Sequence, residues 1–126
     1  MTNYSSDIRV TVETQYIDEH SDEAEEQFVF SYTVTIENIG EDTVKLISRY
    51  WEITDANGEL STVAGEGVVG KQPTLRAGGS YTYTSGCILK TPFGTMEGHY
   101  QFVNDVHQPV QGKIPLFRLS KPNLLH

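Results

Sequence analysis

The sequence predicts an all-β protein, an antiparallel β-sandwich of the immunoglobulin or fibronectin type III kind with seven to eight strands. Three observations support this prediction. Apolar and polar residues alternate along several segments, which is the period of a half-buried strand. Turns rich in glycine, proline and asparagine separate these segments at strand spacing. No stretch of ten residues combines helical periodicity with helix caps. The length of 126 residues predicts one domain over residues 1–126, with flexible ends at 1–6 and 120–126.

The first two strands are predicted on either side of an acidic segment. Residues 8–12, IRVTV, alternate and begin the first strand. Residues 18–27, DEHSDEAEEQ, are interpreted as a solvated loop. The second strand, residues 28–36, has the clearest alternation, with aromatic and aliphatic side chains on one face. Phe30 and Tyr32 are therefore expected in the core.

The third strand, residues 44–54, changes parity within itself. Its apolar residues occupy even positions up to residue 46 and odd positions from residue 47, which predicts a β-bulge near Leu46–Ile47. Residues 55–58, DANG, predict a hairpin turn, and residues 59–63 return as a strand. Trp51, the only tryptophan, is expected to fill the space between the two sheets.

The second half of the chain continues with further strands after a long connection. Residues 64–79 are rich in glycine and are interpreted as irregular, with Val68 and Val69 turned inward. Three alternating segments follow and predict strands, the middle one placing Tyr100 in the core. These segments are residues 81–89, 96–102 and 113–119.

Charge and cysteine content exclude several classes of partner. Seventeen Asp and Glu against nine Lys and Arg give a net charge of −8, which repels nucleic-acid backbones and anionic membranes. We therefore predict neither a nucleic-acid nor a membrane partner. Cys87 is the only cysteine, so no intramolecular disulfide forms, as is typical of the cytosol. Without a signal-peptide pattern or an apolar run of about 18 residues, the protein is expected to be soluble and cytoplasmic.

Four motifs resemble the bacterial ApaG family in their order and spacing. They are SRYWEITDANGE, VAGEGVVGKQPTLRAGGSYTYTSG, TPFGTMEGHYQF and IPLFRLSKPN, and the resemblance extends from residue 8 to residue 122. Tyr50 departs from the pattern, because many members have histidine there. The resemblance implies a fibronectin-type sandwich and an association with cobalt tolerance and magnesium efflux. The same domain occurs in eukaryotic F-box and polymerase-interacting proteins, which implies a binding module.

Residues 65–70, GEGVVG, match the glycine spacing of dinucleotide-binding motifs. Those motifs require a helix after the glycines, and here Pro73 and more glycines follow, so a Rossmann fold is excluded. Two interpretations stay open. One is a structural loop with glycines at positive φ; the other is an anion site for a pyrophosphate-containing small molecule. The candidate anion-binding residues are Gly65, Gly67, Gly70, Arg49, Lys71 and Arg76.

Metal binding and catalysis have little support in the sequence. The four histidines are scattered, and only His20, within the acidic segment, is a weak candidate for attracting a divalent cation. Ser85, Cys87 and His99 are the residues that could serve as nucleophile and base, but alternation predicts that Cys87 is a buried, inert core thiol. We predict no catalytic residues and no cofactor.

The function that these observations favour is a non-enzymatic binding module. Its expected partner is another protein, recognised through a sheet edge or through the loops at one end of the sandwich. A homodimer formed through edge strands is left open. The alternative function is the binding of a phosphate-containing small molecule at the glycine loop.

Overall fold

The structure, a computed structural model, describes residues 3–122. Of the predicted flexible ends, residues 1–2 and 123–126 lie outside the described residues, whereas Ser120 belongs to the last strand. No helix within residues 3–122 has the length and apolar character needed to cross a membrane. The strands are β1 (Ile8–Tyr16), β2 (Phe28–Asn38), β3 (Val44–Asp55), β4 (Leu60–Glu66), β5 (Thr74–Leu75), β6 (Ser80–Leu89), β7 (Phe93–Asn104) and β8 (Pro109–Ser120).

The strands form two antiparallel sheets packed face to face. One sheet has three strands in the order β1-β2-β6. The other has five, in the order β4-β3-β7-β8, with the short β5 also paired to β3. This division of eight strands into two antiparallel sheets confirms the predicted β-sandwich of the fibronectin type III kind.

The core lies between the sheets and is centred on aromatic residues. The inward side chains of β2 are buried in strict alternation along the whole strand, because its period of two matches the pleat. Phe30, Tyr32, Trp51 and Tyr100 are 1%, 6%, 2% and 0% exposed, respectively. Trp51 contacts Tyr32 of the opposite sheet edge-on, with ring centroids 5.3 Å apart. The indole therefore joins the two sheets, which is the position expected from the sequence.

A β-bulge in β3 decides which of its side chains enter the core. The pairing register between β3 and β7 shifts between Leu46 and Ser48, which confirms the predicted bulge. Leu46 is fully buried before the shift and Trp51 is buried after it, although their positions have opposite parity. The side chain of Arg49 consequently shares the inward face of β3 with Trp51.

Several details differ from the sequence predictions. Strand β4 runs to Glu66 rather than to residue 63, and β5 lies within the connection predicted to be irregular. The acidic segment contains two short 3-10 helices, Asp18–His20 and Glu23–Glu25, rather than a plain loop. Hydrogen bonds explain these differences. Strands β4 and β5 both pair with β3, and the Asp22 side chain accepts a hydrogen bond from the Glu25 N–H at the start of the second 3-10 helix.

The prediction that Val69 turns inward is wrong. Val68 is fully buried, but Val69 is 61% exposed. Val68 and Lys71 exchange two backbone hydrogen bonds of 2.8 and 2.9 Å, which makes Val69-Gly70 a two-residue turn. The φ angles of these two residues are +47° and +76°, as such a turn requires. The tip of the turn therefore points into solvent.

Candidate functional site

The glycine loop is built around the guanidinium group of Arg49. Gly65 lies in β4 directly opposite Arg49, and a Cβ atom at Gly65 would stand 3.0 Å from Arg49 Nη1. The glycine thus leaves the space that the guanidinium fills. Nη1 donates to the carbonyl oxygens of Glu66 and Gly67, at 3.0 and 2.9 Å. The loop presents carbonyl oxygens, not N–H groups, to its nearest cation.

Three N–H groups of the same loop already have backbone partners. Gly67 donates to Ile47, Val68 donates to Lys71, and Lys71 donates to Val68, at 2.8 to 2.9 Å. Gly67 and Gly70 have positive φ, whereas Gly65 is an ordinary strand residue. An anion that approached these three donors would compete with hydrogen bonds that the fold has made.

The three candidate cations occupy different surroundings. Arg49 faces the inter-sheet space, Lys71 is exposed at the end of the glycine turn, and Arg76 is exposed in a separate turn that leads into β6. The structure therefore brings Arg49 together with Gly65 and Gly67, through steric fit and carbonyl contacts. The remaining residues of the predicted set, Gly70, Lys71 and Arg76, lie around the loop and do not form a single binding site with Arg49.

The metal and catalytic candidates are separated as well. His20 is exposed on the first 3-10 helix, and no group of three or more His, Cys, Asp or Glu side chains within residues 3–122 is arranged to hold a metal ion. Ser85 and Cys87 face the inter-sheet space. His99 lies on the outer face of the five-stranded sheet, where it stacks on Tyr50 with ring centroids 5.2 Å apart. The considered nucleophiles and base are thus on opposite faces.

The sandwich is open along one side. On the other side β1 packs along β8 and closes the space between the sheets. On the open side, the edge strands β4 and β6 flank the gap between the sheets, and we call this side the open seam. Three large apolar side chains are exposed along it: Leu60 (58%), Val63 (41%) and Ile88 (66%). Apolar side chains exposed together, rather than singly, are typical of an interaction surface.

Two clefts lie along the open seam. The outer cleft, of about 220 Å³, lies between the start of β4 and the end of β6 and is lined by Leu60, Ile88 and Lys90 among others. The inner cleft, of about 260 Å³, reaches further between the sheets. Its walls combine aromatic, sulfur-containing and polar side chains: Tyr32, Arg49, Trp51, Ile53, Val63, Ser85, Gly86, Cys87, Ile88 and Met96.

The inner cleft contains one charged group. Burial raises the pKa of the Cys87 thiol to about 11, so the thiol is neutral at physiological pH. Burial also raises the pKa of the Tyr32 phenol. Cys87 is only partly buried, which corrects the prediction of a buried core thiol. The reason is that β6 is an edge strand, and no other strand within residues 3–122 pairs with its outer side. Among the described residues that line the cleft, Arg49 is therefore the only ionised side chain.

The sequence contained weak signals for the open seam that the strand analysis missed. Ile88 breaks the alternation of β6, because it is apolar at a position between the inward residues Cys87 and Leu89. Strand β4 shows no regular alternation and exposes nearly every side chain. An apolar residue of the wrong parity on an edge strand is a signal of a surface that another molecule covers.

Comparisons with known proteins agree with the fold. A family model described as ApaG domain matches residues 18–104. Protein ApaG of Cronobacter sakazakii is 50% identical over 117 residues, covering 93% of this chain and 94% of that protein. Protein ApaG of Shewanella woodyi is 48% identical over 126 residues, all of both chains. The crystal structure of the putative ApaA protein from Bordetella pertussis is similar, with a TM-score of 0.90 and 44% identity over 93% of this chain and 95% of that one.

Proposed function

This chain belongs to the ApaG family, and from that premise we propose that it is a non-enzymatic interaction module that binds an extended segment of a partner protein along the open seam. The observation that carries the proposal is that two edge strands flank two clefts, the outer one mainly apolar and the inner one of mixed polar and apolar character. The module acts in the cytoplasm and needs no cofactor. The association of the family with cobalt tolerance and magnesium efflux would then operate through the partner.

The edge strands supply the backbone part of the interaction. Within the described residues, β6 pairs with β2 alone and β4 with β3 alone, so each has a row of N–H and C=O groups directed away from its sheet. An extended segment that adds to such an edge forms main-chain hydrogen bonds, and pockets beside the edge select its side chains. The two clefts and the exposed Leu60, Val63 and Ile88 supply those pockets.

The charge of the chain favours a different protein over a second copy. Each copy carries a net charge of −8, so two copies repel each other as they approach. A partner of lower negative charge or of positive charge meets no such repulsion. We therefore commit to a segment of another protein as the occupant, and a homodimer is an outcome that would contradict this choice.

The alternative function, anion binding at the glycine loop, has less support. Three of the loop N–H groups, those of Gly67, Val68 and Lys71, already donate to backbone carbonyls, and the Nη1 atom of Arg49 donates into the loop itself. A titration of the labelled protein with pyrophosphate tests it directly. Shifted amide signals confined to residues 65–76 would favour the anion site over the open seam.

The main proposal is tested by placing a photo-cross-linking residue on the open seam of the full chain in cells. Ile88→p-benzoylphenylalanine probes the seam, and Val106→p-benzoylphenylalanine is the matched control, because Val106 is 65% exposed against 66% for Ile88 but lies in the turn between β7 and β8. We expect an adduct at Ile88 that is absent at Val106. Mass spectrometry identifies the cross-linked segment, which is then synthesised as a peptide.

The peptide provides the decisive measurement. We expect its binding to shift amide signals of β4 and β6, and Leu60→Glu to weaken it by at least tenfold. Leu116→Glu, at a position 57% exposed against 58% for Leu60, should leave binding unchanged, because Leu116 lies on β8. Equal adducts at both cross-linker positions, an adduct with a second copy, or equal losses for both leucine variants would overturn the proposal.

A further inference from the structure

Arg49 is an inward-facing arginine that has no carboxylate partner within residues 3–122. The ion pairs formed within residues 3–122 are Arg9–Glu37 and Lys121–Glu23, both on the surface. Arg49 instead lies on the inward face of β3 and lines the inner cleft. Arg49 is half-buried, and its hydrogen bonds within residues 3–122 are to neutral carbonyl oxygens, not to a carboxylate. Its positive charge is therefore available to an anionic group in the cleft.

The loop contacts use only part of the guanidinium group. Arginine has five N–H donors in a planar fork. Nη1 makes both hydrogen bonds to the loop carbonyls, and within the described part of the chain no acceptor takes a hydrogen bond from Nε or Nη2. The loop thus fixes the plane of the guanidinium while leaving one edge available. A fixed plane with a free edge favours a planar acceptor that binds through two oxygens.

The rest of the cleft specifies the body of the ligand. Trp51, Tyr32 and Met96 contribute aromatic and thioether atoms to a lining that also has the polar atoms of Ser85, and the neutral Cys87 adds no charge. A cavity with such walls and one cation suits an apolar group that ends in a single negative charge. A phosphate dianion would carry more charge into a cleft that has one cation, within a chain of net charge −8.

We propose that the inner cleft is a subsite for a carboxylate carried on an apolar body, held by the free edge of Arg49 with the body against Trp51. This inference rests on the proposed function, because the carboxylate would belong to the segment that enters the open seam. It also applies to a free organic acid of the same chemistry. The experiment separates these two sources.

The probe is 3-phenylpropionate, and 3-phenylpropionamide is its uncharged control. Binding is followed by amide shifts of residues 49–53 and 85–88 and by the fluorescence of Trp51, the only tryptophan. We expect a dissociation constant in the millimolar range for so small a ligand. The amide should bind at least tenfold more weakly, because a hydrogen bond to a charged group contributes about 1.5–3 kcal/mol.

Two variants assign the effect to Arg49 and to the cleft. Arg49→Gln should reduce binding of the acid to the level of the amide and leave binding of the amide unchanged. Because Arg49→Gln also removes the loop contacts, Cys87→Met provides a second variant that fills the cleft and leaves Arg49 in place. We expect Cys87→Met to weaken the binding of both compounds. Val106→Asp, in the turn between β7 and β8, is the control and should bind both compounds as the original chain does.

The outcomes distinguish this inference from the proposed function. Equal affinities for acid and amide, or unchanged affinities in Cys87→Met, would overturn the subsite. If the cross-linked peptide binds the seam but is insensitive to Arg49→Gln, the proposed function stands and the partner segment is not the source of the carboxylate; an acid-over-amide preference that depends on Arg49 then assigns the subsite to a free organic acid, and the absence of that preference overturns the subsite. If that peptide loses at least tenfold in affinity when its acidic residue is changed to the amide, the partner is the source.

Discussion

At the scale of single residues, Trp51 joins the two sheets through its ring contacts. It is 2% exposed and meets Tyr32, Phe117 and Tyr100 edge-on, with centroids 5.3, 5.8 and 6.4 Å apart. Trp51→Ala is expected to lower the free energy of unfolding by about 3–5 kcal/mol, because it removes a buried ring and leaves a cavity. Urea denaturation measures this change. Leu116→Ala, at an exposed position, should change it by less than about 0.5 kcal/mol. An unaltered midpoint for Trp51→Ala would mean that the ring does not support the core.

Cys87 makes the stability of the fold sensitive to alkaline pH. Burial raises the pKa of its thiol from 9.0 to about 11, so the folded state favours the neutral form more than the unfolded state does. The stabilising contribution is therefore complete below pH 9 and is lost as the pH rises towards 11. We expect the urea midpoint of the original chain to fall more steeply over this interval than that of Cys87→Ala. If the urea midpoints of the two proteins changed with pH in parallel, the raised pKa of Cys87 would be contradicted.

At the scale of the elements, the strands that face the core on one side were predictable from the sequence and the edges were not. The second strand alternates over its full length because one face is buried along its whole length, so its pattern specifies both its type and its register. The bulge in β3 was predictable because it moves apolar residues from one parity to the other. β4 lacks a buried face, so its extension to Glu66 has no apolar signature.

The candidate site was less predictable than the fold for a related reason. The sequence brought Arg49 and the glycines together as a potential anion site, because both lie near one motif. It did not show that the loop directs carbonyl oxygens at Arg49, since that depends on the orientation of the peptide groups. The open seam depends on which strands end each sheet, and alternation carries no information about strand order.

Gly98 lies in β7 opposite a second bulge, which is in β8. The pairing between β7 and β8 shifts between Met96 and Gly98, and a Cβ atom at Gly98 would stand 1.9 Å from the carbonyl oxygen of Tyr50. Gly98→Ala should therefore destabilise the protein by about 3 kcal/mol or more, because the neighbouring backbone must move. Gly86→Ala is the matched control on β6, where the nearest atom to the added Cβ is 3.5 Å away. Urea denaturation should show a large loss for Gly98→Ala alone, and equal effects of the two substitutions would refute the close approach.

At the scale of the whole molecule, the distribution of charge and the open seam act together. The surface carries few ion pairs among the described residues, Arg9–Glu37 and Lys121–Glu23, and exposed pairs of this kind contribute little to stability. Most of the seventeen carboxylates therefore repel one another without compensation. The same repulsion keeps copies of the chain apart, so that the apolar seam is available to a different protein.

This repulsion predicts that salt stabilises the fold. Raising the ionic strength from about 0.01 M to 0.1 M shortens the screening length from about 30 Å to 10 Å. The added salt weakens the long-range repulsion between carboxylates more than it weakens the attraction within a close ion pair. We expect the urea midpoint to rise over this range. The double variant Glu19→Gln, Glu25→Gln removes two exposed carboxylates and should respond less, whereas Lys45→Gln removes an exposed cation and should respond more. The order of the three responses is the test, because effects of salt on apolar surface are nearly equal in all three proteins. If the urea midpoint rose by the same amount with salt in all three proteins, self-repulsion would not limit the stability of the chain.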